Sequence, residues 1–159
     1  MELSGNISIK SFLFSLGIYL FFSSLVFLMT SAGWSGLMWL FYGSFILGTI
    51  LVISIIAGIV LYYKFKRTTA TIYRPLLYIT LITQIFAILF NFSDHGDNPG
   101  AYTVIDLILH TPNVDSGTSP FVHFSFFFVL FYFILLCLTI FFAFSQSTQT
   151  PTSDYKIKK

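Results

Sequence analysis

The sequence predicts an all-α membrane protein: a four-transmembrane-helix bundle with both termini cytoplasmic and a short amphipathic helix in the outer loop between helices 3 and 4. Three observations carry this. Hydrophobic residues make up 56% of the 159 and charged residues only 9%, against about 25% charged in a soluble domain. That is too little charge for a water-facing surface of ordinary size. Four apolar runs, at about 11–30, 36–63, 75–92 and 120–144, contain no Asp, Glu, Lys or Arg, and crossing ~30 Å of hydrocarbon takes roughly 20 such residues. The eight bases then fall into alternate inter-run segments. Lys10 precedes the first run, Lys64, Lys66, Arg67 and Arg74 separate the second from the third, and Lys156, Lys158 and Lys159 follow the fourth. This is the positive-inside distribution of a chain that crosses four times.

The first run is interrupted only by Ser, Gly, Tyr and a terminal Thr. Ser31-Ala32-Gly33 offers small residues for signal cleavage, but the run exceeds the ~7–15 residues of a signal-peptide core, so it is read as a retained span. A tight outer turn at 31–35 leads into the second run, which is longer than a bilayer needs and should tilt or overshoot. Trp34 and Trp39 sit at its outer end, where indoles anchor. Ser44/Gly48 and Ser54/Gly58 have the small-xxx-small spacing that lets membrane helices approach closely.

Arg74 marks the cytoplasmic end of the third run, and Pro75 suits a first helical turn, where its missing N–H costs nothing. Thr80, Gln84 and Asn91 share one face of this helix, with Ala87 between them. A mid-depth amide must find a partner, so this face should turn into the bundle and hydrogen-bond there. The alternative is a solute path, which in so small a protein requires oligomers. The fourth run opens at Pro120 and holds the single cysteine, Cys137. One cysteine allows neither an intrachain disulfide nor a CxxC pair. The segment 145–159, rich in Ser, Thr, Gln and Lys, reads as a disordered cytoplasmic tail behind a single domain over 1–144.

The outer loop, 93–119, is the one extramembrane stretch with room for a site. It carries four of the six acids, Asp94, Asp97, Asp106 and Asp115, and no base. Asn98-Pro99 is a good cap and first-turn pair, predicting a helix to about His110 that Pro112 stops. Val104, Ile105 and Ile108 would form its apolar face, and Thr103, Asp106 and His110 its polar one. Asp94, His95, Asp97, Asp106 and His110 are candidate ligands for a divalent metal, although the chain has neither the alternating acids of a calcium loop nor HExxH. The competing reading is a solvated acidic loop with local turns. His123, at the start of the fourth run, would become a pH sensor if the loop set Asp94 or Asp97 beside it. Asn6-Ile7-Ser8 and Asn91-Phe92-Ser93 match the glycosylation pattern by chance.

Nucleic acid is not an expected partner, because membrane topology already accounts for the bases. The bilayer is the first partner, and the acidic loop would receive another membrane protein or a cationic ligand. A homo-oligomer is compatible with the composition. The favoured function is a non-enzymatic accessory or interaction protein of a bacterial inner membrane, with no cofactor. A metal-binding protein or small membrane enzyme, and an oligomeric transporter or channel subunit, are the alternatives.

Overall fold

The computed structural model describes residues 3–31, 33–94, 101–109 and 119–145. The expectations placed on His95, Asp97, Asn98, Pro99, His110, Pro112, Asp115 and the tail beyond Ser145 lie outside the described residues.

The element order is β1 (Ser4–Ser8), α1 (Ile9–Thr30), α2 (Gly33–Met38), one π-helical turn (Trp39–Gly43), α3 (Ser44–Tyr63), β2 (Thr69–Tyr73), α4 (Arg74–Leu89), β3 (Phe92–Asp94), β4 (Ala101–Thr103), α5 (Val104–Leu109) and α6 (Val122–Ser145). The chain is mostly helical. Among the described residues three stretches are long and apolar enough to cross a membrane: α1, the continuous helix Gly36–Tyr63, and α6. Their surface has the polarity of a protein solvated by lipid. Phe14, Phe45, Phe126 and Phe141 are each more than 60% exposed, while Ser23, Ser54, Thr80 and Ser125 are almost fully buried. Hydrocarbon reverses the usual preference, because a hydroxyl facing lipid has no water to bond.

The helix in the third run is shorter than expected. It covers 16 residues, or about 24 Å at 1.5 Å per residue, against the run 75–92 read from hydropathy. It ends because the chain tightens: the Phe90 N–H reaches Phe86 O, and the Asn91 N–H reaches only back to Ile88 O. Asn91 then turns its polar groups to other elements, and the chain continues as β3.

The expectation of an all-helical chain is corrected by two short two-stranded sheets. β1 pairs antiparallel with β2, from Ser4 opposite Tyr73 to Ser8 opposite Thr69. The ladder runs on at both ends, through Ile9 N–H to Thr68 O and Arg74 N–H to Leu3 O. It thus ties the start of α1 to the start of α4. The Thr-rich, β-branched segment 68–73 suits this pairing, but it is too short, and too close to a charged turn, to stand out in the sequence. At the other end β3 pairs with β4, with Asp94 opposite Ala101.

The helices pack through the small residues in an uneven way. Ser54 and Gly58 are buried, and a Cβ on Gly58 would sit 3.0 Å from Leu13 and 3.3 Å from Ile9, so α3 lies close on α1 here. Ser44 and Gly48 are exposed, and a Cβ on Gly48 would meet nothing within 4 Å. Only one of the two small pairs is a helix contact.

Trp34 is 71% exposed. Trp39, expected at the same interface, instead turns inward. Its ring lies 4.5 Å from Phe27 and stacks 6.0 Å from Phe133, and its indole N–H donates to Ser24 O at 3.2 Å. The π turn makes room for it: a Cβ on Gly43 would come within 2.5 Å of the indole. Gly43→Ala is therefore expected to displace Trp39 and to destabilise the protein by about 1–3 kcal/mol, the usual range for overpacking. A red-shifted Trp emission together with a lower unfolding midpoint in detergent titration checks this.

Candidate functional site

The polar side chains of the described residues collect in three places: the outer end of the bundle, its middle, and the basic turn after α3.

At the outer end, Asn91 is 8% exposed. Its side-chain amide donates to Thr30 Oγ1 at 2.8 Å, Ser31 Oγ at 2.7 Å and Phe27 O at 3.3 Å. Two amide hydrogens thus serve three acceptors at the C-terminus of α1, where helix carbonyls lack partners of their own. The Asn91 carbonyl accepts from Val104 N–H at 3.2 Å. One residue thereby joins α1, α4 and α5. Burial also removes it as a glycosylation acceptor.

Next to it stands Asp106, 6% exposed. Oδ2 accepts from the Thr103 N–H at 2.8 Å and the Thr103 hydroxyl at 2.7 Å, while Oδ1 accepts from the Ser119 hydroxyl at 2.9 Å. Thr103-x-x-Asp106 is a capping box, with the Asp106 N–H 3.4 Å from Thr103 Oγ1. The sequence contains this signal, but the Asn98-Pro99 pair drew the expected start of α5 to the wrong place. The expected apolar face of α5 turns in only in part: Val104 and Ile105 are half-buried, and Ile108 is exposed. Leu107, Ile108 and Leu109 are each about 60% exposed and Asp106 points in, because a carboxylate with three donors is stable only where those donors are.

These placements bear on the proposed metal ligands. Asp106 is engaged as a cap and as a link to the residue preceding Pro120. Asp94 contributes backbone to β3. His95, Asp97 and His110 lie outside the described residues. Among the described residues no three His, Cys, Asp or Glu side chains group as ligands. His123 is exposed on the first turn of α6 and makes no hydrogen bond to a described residue.

In the middle of the bundle, the buried positions of α4 are Thr80, Thr83 and Ala87. Asn91 continues this stripe at the same helical phase. Gln84 is half-buried beside it and makes no hydrogen bond to a described residue. The Thr80 hydroxyl lies 3.1 Å from Thr139 Oγ1 on α6. Each threonine also bonds its own helix, Thr80 to Leu76 O and Thr139 to Leu135 O, both at 2.8 Å. Across the bundle, Ser23 Oγ and Tyr132 OH lie 3.0 Å apart, with Tyr132 fully buried. Ser23, Tyr132 and Thr139 could not be singled out in sequence, because isolated hydroxyls in Phe-rich runs have no period to set them apart.

The Tyr19 hydroxyl is buried beside the Tyr132 hydroxyl and makes no well-formed hydrogen bond among the described residues. It borders a cavity of about 230 Å³ that Ser15, Thr80 and Thr139 also line, with Ile7 and Ile72 of the β1–β2 sheet among its walls. Tyr19→Phe removes an unsatisfied group and is expected to raise stability by about 1 kcal/mol. An unchanged or lower unfolding midpoint would show that the hydroxyl does have a partner.

In the basic turn, Lys66 adopts φ 54°, the left-handed region that a lysine enters only with strain. The turn carries Arg67 back so that its N–H reaches Leu61 O at 2.9 Å and its guanidinium lies 3.5 Å from Phe144 O at the end of α6. A cation there complements the negative end of the helix dipole. Compared with protein-family models, with curated proteins and with solved structures, the chain matches none.

Proposed function

We propose that this is a multi-pass integral protein of a bacterial inner membrane with four spans and cytoplasmic termini. In this reading it is a non-enzymatic accessory protein that holds another membrane protein, or a cationic ligand, against its outer half. α4 supplies the fourth span. It is short, but it carries the inward polar face that pairs with α1 and α6, and a thinned bilayer accommodates it.

The observation that carries the accessory reading is the distribution of side chains at the outer end. The polar groups there, Asn91, Thr103, Asp106 and Ser119, bond one another or neighbouring backbone and are buried. What faces outward is apolar. Leu107, Ile108 and Leu109 of α5 and Phe124, Phe127 and Phe131 of α6 are all well exposed. The three phenylalanines follow 3–4 spacing, the pattern by which one helix packs into another. Phe127 and Phe131 stack with centroids 6.5 Å apart, a stiff aromatic ridge of the kind that anchors interfaces. The sequence of the loop also contributes the acids Asp94, Asp97 and Asp115.

A photo-cross-linking residue at Ile108, activated in native membranes, tests this. The expected result is a discrete adduct with one other membrane protein, lost when Phe124, Phe127 and Phe131 are all changed to Leu. Adducts with lipid alone would overturn it.

A further inference from the structure

We propose that the groove between α3 and α6 seats one acyl chain of an anionic phospholipid, whose headgroup is bound at its cytoplasmic mouth by Lys64 and Arg67. The groove has a volume of about 420 Å³, and Ile50, Ile53, Ala57, Val60, Cys137 and Phe141 are among its walls. It adjoins a second apolar groove of about 430 Å³ that shares Ile50, Cys137 and Phe141 as walls and is also lined by Ile46 and Ile134. From Ile46 to Val60 the helix rises about 21 Å, more than the ~15 Å of hydrocarbon in one leaflet. A single chain from the inner leaflet fits along it.

The mouth of the groove specifies the headgroup. Val60, Leu61, Phe144 and Ser145 line it, and two bases are attached to those residues. The Lys64 N–H bonds Val60 O at 2.9 Å, the Arg67 N–H bonds Leu61 O, and the Arg67 guanidinium reaches Phe144 O. Both cations flank the Phe65 ring, at 5.7 and 6.0 Å from its centroid. A guanidinium has five N–H donors, and Phe144 O engages one. Among the described residues no acid pairs with Lys64, Lys66 or Arg67, and Arg67 meets only a helix-end carbonyl and the Phe65 ring. The strained Lys66 points the same way. Glycine would make this turn without strain, yet the position carries a third positive charge. Basic side chains between spans on the cytoplasmic side are the chemistry that holds anionic headgroups.

The test uses delipidated full-length protein in a neutral detergent, with phosphatidylglycerol or phosphatidylcholine of identical acyl chains, read by native mass spectrometry. One phosphatidylglycerol should be retained in preference to phosphatidylcholine. Lys64→Gln with Arg67→Gln should weaken that retention about thirtyfold, the effect of two interfacial bases. Lys10→Gln with Arg74→Gln, an equal loss of charge elsewhere on the basic side, should leave it unchanged. Ala57→Phe fills the groove but keeps the bases, and it should also weaken retention, which keeps the proposal testable if the double variant misfolds. Equal retention of the two lipids, or equal weakening by both double variants, would overturn it. The proposal rests on the membrane-spanning reading above. The assay contains no other protein, so its failure would leave the partner reading standing, and failure to cross-link a partner would not touch the lipid site.

Discussion

Asn91→Leu should lower stability by about 2 kcal/mol and loosen the outer end of the bundle as a unit. The estimate follows from what is lost. Three interhelical donations disappear, and in membrane proteins such bonds average ~0.6 kcal/mol with a maximum near 1.7. Much of the desolvation penalty is avoided, because the Thr30 and Ser31 hydroxyls keep their own acceptors, Val26 O and Phe27 O. The backbone carbonyl still accepts from Val104, so α5 stays tethered at one point. Unfolding in mixed micelles measures the first effect. Amide exchange measures the second and should rise together in the last turn of α1 and the last turn of α4. Faster exchange in α4 alone would mean that Asn91 stabilises its own helix end and does not join two helices.

Asp106→Ala should have the larger effect, about 3 kcal/mol, since hydrogen bonds to a charged group contribute about 1.5–3 kcal/mol each and part of the loss is recovered when water reaches the freed donors. The substitution leaves the Thr103 N–H without its acceptor, breaks the capping box and releases Ser119, which precedes α6. Asp106→Asn should be milder. The Thr103 and Ser119 hydroxyls can rotate to accept from an amide, whereas the Thr103 N–H cannot reverse. Limited proteolysis across 95–118, compared among wild type, Asn and Ala variants, should rank them in that order. Metal content separates this structural role from ligation. A cap predicts the same content in wild type and Asp106→Asn, and a fall in bound divalent metal would restore Asp106 to the ligand set.

The helical framework was legible because lipid imposes a single requirement over some twenty residues at a time, and hydropathy reports that requirement directly. The small pairs were half legible. Spacing marks Ser44/Gly48 and Ser54/Gly58 alike, but only the neighbour decides contact, and Leu13 and Ile9 stand opposite Gly58 alone. On α4 the face was found and one member misplaced. Thr83 lies deeper than Gln84, a shift of one position that 100° per residue makes easy. Trp39 shows a different limit. An indole at the end of an apolar run reads as an interfacial anchor, and only the π turn, which rotates it over Gly43, brings it between Phe27 and Phe133. The strands escaped because β1 and β2 are five residues long with a distant partner, and β3 and β4 are only three, too short to show a period. For Asp106 the sequence suggests cations, because an acid in a loop does, while the structure adds a role that spacing alone did not bring forward: its buried carboxyl group caps α5 and holds Ser119.

All of this depends on the exposed Phe and Ile surface of the helices facing hydrocarbon, with the basic turn and the outer loop separated by the bilayer. Cysteine accessibility tests that most directly. In a Cys137→Ser background, single cysteines at Lys66 and Ile108 would be labelled with an impermeant thiol reagent in intact cells and again after permeabilisation. The account predicts that Ile108→Cys reacts in intact cells and that Lys66→Cys reacts only once the membrane is opened. Labelling of both positions in intact cells, or of neither until permeabilisation, would contradict it.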